Sequence, residues 1–332
     1  MRGLSVFAAI SMATAVVLAC DPITHDDLHC PSGGCADGGL LDAAHPGTDA
    51  APIALDAAAT VDASVPADAA APGDASSGSD ASSCTRLYNL AFPGGTTPLD
   101  SRCLRDIERF QAGPCSGSGD CHLDSRSFYE LPDGGLVESV TAGGKLWEYD
   151  GRSGAVLKNG VDLASLSYLK ATTNDPCFGS TGGCTLDTRA FRPTSSGGWT
   201  EAITNVGQMF NYDAVSHAAV VGLAVNGAPL TGQPRYFGVS TAPCYGGTLT
   251  DCRFQTQAYS KSGSSTLEWV TKDGTMWVFD AATGAAQSGS NTKLSSIDRF
   301  KTSVCAGVAD CRIRTHAFVA APDGGLVESF SD

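Results

Sequence analysis

Gly134-Gly-Leu-Val-Glu-Ser139 returns at the far end of the chain as Gly324-Gly-Leu-Val-Glu-Ser329. The offset is 324 − 134 = 190 residues, and it also lays Leu104-Arg-Asp-Ile-Glu-Arg-Phe110 on Leu294-Ser-Ser-Ile-Asp-Arg-Phe300. Carried further back, it lays Arg86-Leu-Tyr-Asn-Leu90 on Met276-Trp-Val-Phe-Asp280. The segment near 86–92 therefore reads as the last strand of a unit whose first three strands lie near 298–330.

Between these ends the same unit recurs. Its opening cysteine stands at Cys115, Cys177, Cys244 and Cys305, in steps of 62, 67 and 61 residues. A second cysteine follows at Cys121, Cys184, Cys252 and Cys311. Next comes a strand motif: Asp124-Ser-Arg-Ser-Phe128, Asp187-Thr-Arg-Ala-Phe191, Gln255-Thr-Gln-Ala-Tyr259 and Arg314-Thr-His-Ala-Phe318. A strand carrying Glu138, Glu201, Glu268 or Glu328 follows. Then come Leu146-Trp-Glu-Tyr-Asp150, Met209-Phe-Asn-Tyr-Asp213 and Met276-Trp-Val-Phe-Asp280, read as the closing strand of each unit.

Repeats of this length with one copy split between the chain ends point to a closed ring of sheets, which leaves few edges exposed. The expected fold is all-β: a four-bladed β-propeller closed by an N-terminal strand. Its units run over about 107–166, 167–234, 235–297, and 298–332 completed by 85–92. Short runs such as Leu136-Val-Glu-Ser-Val140 favour strands, and Pro132-Asp-Gly-Gly135 and Lys272-Asp-Gly274 punctuate them as hairpin turns. No stretch of the domain keeps a helical period over three turns.

Gly144-Lys-Leu-Trp-Glu-Tyr-Asp-Gly-Arg-Ser-Gly154 and Gly274-Thr-Met-Trp-Val-Phe-Asp-Ala-Ala-Thr-Gly284 resemble the blade repeat of quinoprotein (PQQ-type) β-propellers, where a hydrophobic strand ends in Asp-x-x-Thr-Gly. The resemblance spans about ten residues per repeat. It implies a propeller blade and carries no activity with it. The tryptophan usual after Thr-Gly is absent, and the second repeat drifts to Asp213-Ala-Val-Ser-His217. No set of residues suggests a bound quinone.

The first residues form a different region. Arg2 precedes an apolar run from Leu4 to Leu18, too short to span a bilayer. Val17-Leu-Ala-Cys20 resembles a bacterial lipobox, which implies a lipoprotein signal peptide over 1–19 and a lipid on Cys20. Residues 20–83 read as a disordered Ala/Asp/Pro/Gly-rich tether of low complexity, with no aromatic residue, lysine or arginine. Such a segment cannot bury enough apolar surface to offset its ordering entropy. As a flexible coil it spans on the order of 45 Å.

The tether holds eleven Asp, so the net charge of −14 divides into +1 for the signal, −11 for the tether and −4 for 84–332. The acidity belongs to the tether. The domain has no basic stripe, and nucleic acid is not an expected partner.

Thirteen cysteines divide as one plus twelve. With Cys20 lipidated, even pairing in an exported chain gives Cys30–Cys35, Cys84–Cys103, Cys115–Cys121, Cys177–Cys184, Cys244–Cys252 and Cys305–Cys311. The four repeated pairs are expected to close loops between the first and second strands of each blade.

Two positions could carry chemistry. If Glu138, Glu201, Glu268 and Glu328 faced the ring axis, they could hold Ca²⁺, which takes oxygen ligands. Alternatively each pairs across its hairpin with a donor one strand earlier: Arg126, Arg189, Gln257 or His316. That second reading fits the cost of burying a bare carboxylate. Asp150, Asp213 and Asp280 read as turn formers. Trp269 stands where other repeats place Ser or Ala and, if exposed, would offer a stacking face to a sugar or peptide. No catalytic constellation is found, and no cofactor other than that candidate Ca²⁺ is expected.

The sequence therefore leads to a lipoprotein of the bacterial cell envelope. It would be membrane-anchored through Cys20, facing the periplasm or cell surface, with a propeller that binds an unknown protein or glycan. The alternatives are a structural envelope component and a degenerate quinoprotein-like oxidoreductase or carbohydrate-active enzyme.

Overall fold

A computed structural model describes residues 84–332, apart from 118, 120, 182, 221–225, 249, 322 and 323. Cys20 and the expected Cys30–Cys35 pair lie outside the described residues.

Among the described residues, sixteen strands make four antiparallel sheets. The N-terminal segment supplies β1 (Arg86–Phe92) and β2 (Asp100–Cys103). The first blade is β3 (Ser125–Glu130), β4 (Leu136–Ala142), β5 (Lys145–Asp150) and β6 (Val156–Asp162). The second is β7 (Thr188–Pro193), β8 (Trp199–Asn205), β9 (Gln208–Asp213) and β10 (Ala228–Pro229). The third is β11 (Thr256–Ser262), β12 (Ser265–Lys272), β13 (Thr275–Asp280) and β14 (Thr292–Lys293). β15 (Thr315–Ala320) and β16 (Leu326–Ser331) end the described chain.

The closing blade has the order β15-β16-β1-β2, so it is built from both ends. The innermost strands β3, β7, β11 and β15 each neighbour the next, and β15 returns to β3. The fold is a four-bladed β-propeller.

The division of the closing blade corrects the sequence reading. Its C-terminal part supplies two strands, not three, because Asp298–Lys301 is a single helical turn. The N-terminal part supplies the other two. Arg86–Phe92 does occupy the place of β13, but that place is the third strand of a blade. The true outermost strands are β2, β6, β10 and β14; β10 and β14 are two residues each and too short to carry an alternation that a sequence pattern could reveal.

The second hairpin of each complete blade turns on two residues of positive φ, the geometry that matches strand twist. These are Gly143-Gly144, Val206-Gly207 and Asp273-Gly274. Gly274 is doubly required: its φ is +70°, and a Cβ there would meet the Cys311 carbonyl oxygen at 2.7 Å. Beyond the third strand, Asp150 Oδ1 accepts from the Ser153 amide at 2.6 Å and the Ser153 hydroxyl at 2.7 Å. Asp213 with Ser216 and Asp280 with Thr283 repeat this turn.

Between blades, a one-turn helix delivers a buried aromatic or leucine (Phe110, Leu169, Tyr236 or Phe300) to an inter-blade core. The recurrent third-strand aromatics Trp147, Tyr149, Phe210, Tyr212, Trp277 and Phe279 are buried in the same layers. Five disulfides form as expected: Cys84–Cys103, Cys115–Cys121, Cys177–Cys184, Cys244–Cys252 and Cys305–Cys311. The four repeated ones close loops that precede each innermost strand. They therefore lie between blades, and not between the first and second strands of one blade.

Candidate functional site

The four glutamates sit mid-strand on β4, β8, β12 and β16, and all are at most 1% exposed. None is left bare. Glu138 meets Arg126 Nε and Arg109 Nε, each at 2.6 Å. Glu201 meets Arg189 Nε at 2.5 Å and accepts from the Tyr168 hydroxyl at 3.2 Å. Glu268 accepts from Gln257 Nε2 at 2.6 Å, and from the hydroxyls of Tyr236 and Tyr259 at 2.5 and 3.0 Å. Glu328 meets His316 Nε2 at 2.8 Å. Arg235 Nε and Arg299 Nε approach the remaining oxygens of Glu268 and Glu328 at 3.0 and 2.5 Å. Those last two contacts fall off the line of a good hydrogen bond, so they act as ion pairs.

The cross-strand reading of these carboxylates therefore holds. They are not gathered on the axis, and among the described residues no group of three or more His, Cys, Asp or Glu is placed to hold a metal ion. Burial alone would push the Glu138 carboxyl up, but Arg126 and Arg109 outweigh it and hold it below its ordinary value. Burial is likewise opposed at Glu328 by His316 and Arg299, again with a net lowering.

A helix arginine that joins three of the four braces was missed in the sequence. It comes from the helical turns, at Ile107-Glu-Arg-Phe110, Gln233-Pro-Arg-Tyr236 and Ile297-Asp-Arg-Phe300. Arg109 and Arg299 were visible as matched positions in the 190-residue overlay, and their pairing with a strand glutamate was the unread signal. The second blade breaks the pattern: Tyr168 takes the arginine's place in Leu166-Ser-Tyr-Leu169. Glu201 Oε2 then lacks a donor, facing His217 Nδ1 at 4.0 Å.

A second relationship runs between blades. Arg126 Nη1 donates to the Ser329 hydroxyl of the closing blade, and Arg189 Nη1 donates to the Ser139 hydroxyl of the first. At the next joint the inner-strand residue is Gln257 and the residue in the serine's place is Ala202. At the last joint they are His316 and Trp269, whose rings meet edge-on at 6.1 Å. This explains Trp269. It is 7% exposed, donates from Nε1 to the Ser260 hydroxyl at 2.8 Å and packs on Phe92 and Phe318. It offers no stacking face to a ligand.

An opening lies at each end of the axis, and another of about 360 Å³ lies between blades beside Arg235 and Phe279. At the end where the inner strands begin, a hollow of about 690 Å³ opens. Its floor is apolar, from Leu123, Leu186, Phe254 and Ile313, the second residue after each repeat's second cysteine. Beside each stands a polar neighbour: Asp124, Asp187, Gln255 or Arg314. Burial pushes the Asp124 carboxyl up against the pull of the Gly143 and Gly144 amides and of Arg314. Asp187 is held by Arg253 at 2.8 Å. Carboxylate, amide and guanidinium thus converge over an apolar floor, an arrangement suited to holding a polar ligand.

No family model matches the chain, and no curated protein matches it. Among solved structures it is similar to a seed albumin, LS24, from Lathyrus sativus: 12% identity, TM-score 0.41, covering 59% of this chain and 77% of that one. It is also similar to the hemopexin fold protein CP4 from cow pea: 13% identity, TM-score 0.41, covering 62% of this chain and 90% of that one. The Dos1 propeller aligns at 15% identity and TM-score 0.25, over 65% of this chain and 43% of that one.

Proposed function

We propose that this chain is an extracytoplasmic lipoprotein, anchored to a bacterial membrane through a lipid on Cys20, whose ring binds a protein or glycan in the periplasm or at the cell surface. The observation that carries the binding role is the open hollow of about 690 Å³ with converging polar groups at one end of the axis. Five disulfides within 84–332 support an oxidising compartment. The Asp-x-x-Ser/Thr turns at Asp150, Asp213 and Asp280 support a kinship of these blades with the quinoprotein type, as scaffold without the cofactor.

Two measurements test the reading. Radiolabelled palmitate should enter the expressed chain and be lost in Cys20→Ser. On a glycan array and in cross-linking on intact cells, the wild-type chain should retain a ligand that Arg314→Glu releases. A ligand retained equally by Arg314→Glu, or none retained by either protein, would remove the hollow as a binding site.

A further inference from the structure

At the opposite end of the axis, where the inner strands finish, lies a second and smaller cavity of about 120 Å³. Four of its twelve lining residues are aromatic, and most of the others are apolar. Phe128, Tyr259 and Phe318 come from the same position of three inner strands, and Trp199, Pro193 and Leu326 complete the enclosure. Glu130 and Lys261 stand among the lining residues, and both are exposed. The cavity shares no lining residue with the polar hollow.

The walls are fixed by the surrounding fold. The Tyr259 hydroxyl is committed to Glu268 at 3.0 Å and receives Gln257 Nε2 at 3.0 Å, so the ring is the part that faces the pit. The Arg126 guanidinium lies over the Phe128 ring at 4.6 Å. Phe318 is wedged against Phe92 and Trp269, with centroids 5.1 and 5.3 Å away. Trp199 is half-buried beside Tyr129, Val137, Phe191 and Ala214. The braces that close the ring thus also hold the pit open, and its shape is set before any ligand arrives.

Size and lining select the ligand. An apolar cavity of roughly 150 Å³ takes up benzene and stays dry without it. A pit of about 120 Å³ has room for about one six-membered ring within its walls. Aromatic walls favour an aromatic guest through edge-to-face and offset contacts. The exposed carboxylate and ammonium of Glu130 and Lys261 can meet a hydroxyl carried on such a ring.

We infer that the end of the axis lined by Phe128, Trp199, Tyr259 and Phe318 is a binding pocket for a single phenol-sized aromatic ring, borne either by a small molecule or by an aromatic side chain.

The test uses the oxidised full-length chain labelled with ¹⁵N. Phenol and N-acetyl-tyrosine amide are titrated separately while the Trp199 indole N–H signal, assigned with Trp199→Phe, is followed. A saturable shift with phenol alone assigns the pocket to free small molecules. A shift with the amide as well extends it to side chains. In Ala320→Trp, which fills the pit from its rim, the affinity should fall by about tenfold or more while the melting temperature holds. Leu326→Trp serves as a second filling variant should the first misfold. Absence of saturation by either probe in the wild-type chain would overturn the inference. So would unchanged affinity in a folded filling variant. Neither result would bear on the polar hollow.

Discussion

Arg126 and Ser329 join the two ends of the ring. Arg126 holds Glu138 within the first blade at 2.6 Å, and its Nη1 donates to the Ser329 hydroxyl of the last strand. Ser329 in turn donates to Asn89 Oδ1, on the N-terminal strand, at 2.6 Å. One chain of hydrogen bonds therefore crosses β3, β16 and β1, three strands that nothing in the local sequence holds together.

Removing its central cation should be costly. Arg126→Met leaves Glu138 with one of its two guanidinium partners, and breaking a buried pair costs about 3–5 kcal/mol. Ser329→Ala removes one neutral hydroxyl that accepts from Arg126 and donates to Asn89, at about 1–3 kcal/mol. Urea unfolding of the oxidised protein should rank the two in that order. Equal losses would mean that the joint does not depend on the charge.

The second blade offers an internal comparison. Glu138→Gln strands two guanidinium groups, Arg126 and Arg109, whereas Glu201→Gln strands only Arg189, because Tyr168 is neutral. Glu201→Gln should therefore be the milder change, by about 1 kcal/mol or more. Unfolding midpoints of the two variants decide it, and the reverse order would contradict the assignment of the braces.

Acid should weaken the ring in a defined window. Glu138 and Glu328 have folded pKa values below the ordinary glutamate value of 4.5. Between the folded and unfolded values the unfolded chain binds more protons, so stability rises with pH there. Their contribution is complete above the unfolded value and is lost as pH falls through the folded one. Urea midpoints should stay flat from neutral pH to about pH 5 and decline below it. A midpoint that rose on acidification would be inconsistent with charged, paired carboxylates.

Cys84–Cys103 closes a separation of 19 residues and ties the start of β1 to the end of β2. Chain entropy gives it about 3 kcal/mol, against about 2.5 kcal/mol for each repeated disulfide with its shorter loop. Replacing both cysteines with serine should lower the unfolding midpoint more than the same change at Cys115 and Cys121. It should also speed hydrogen exchange in β1.

Trp269→Ala should cost about 3–5 kcal/mol, as expected for an aromatic side chain removed from a packed core. It should leave retention of ligand by the polar hollow unchanged. A change in ligand retention with stability intact would restore Trp269 as a contact residue.

The sequence disclosed the ring because two long-range matches, Gly134–Ser139 with Gly324–Ser329 and Leu104–Phe110 with Leu294–Phe300, could only be reconciled by closure. It disclosed the hairpin partners of the glutamates because donor and acceptor recur 11 or 12 residues apart in every repeat. It hid the outer strands β10 and β14, since the two-residue segments Ala228–Pro229 and Thr292–Lys293 have no period to detect. It also hid the helix arginines. Arg109 and Glu138 are 29 residues apart, and their meeting depends on how a one-turn helix packs between blades. Trp269 was misplaced for a related reason: its partner His316 belongs to the next blade, and contacts between blades leave no spacing signature within one repeat.

The measurement that bears most directly on this account is a high-resolution crystal structure of the oxidised ring grown in Ca²⁺, with anomalous scattering recorded. Glu138, Glu201, Glu268 and Glu328 should remain on Arg126, Arg189, Gln257 and His316, with no ion among them. A Ca²⁺ coordinated by two or more of these carboxylates on the ring axis would contradict it.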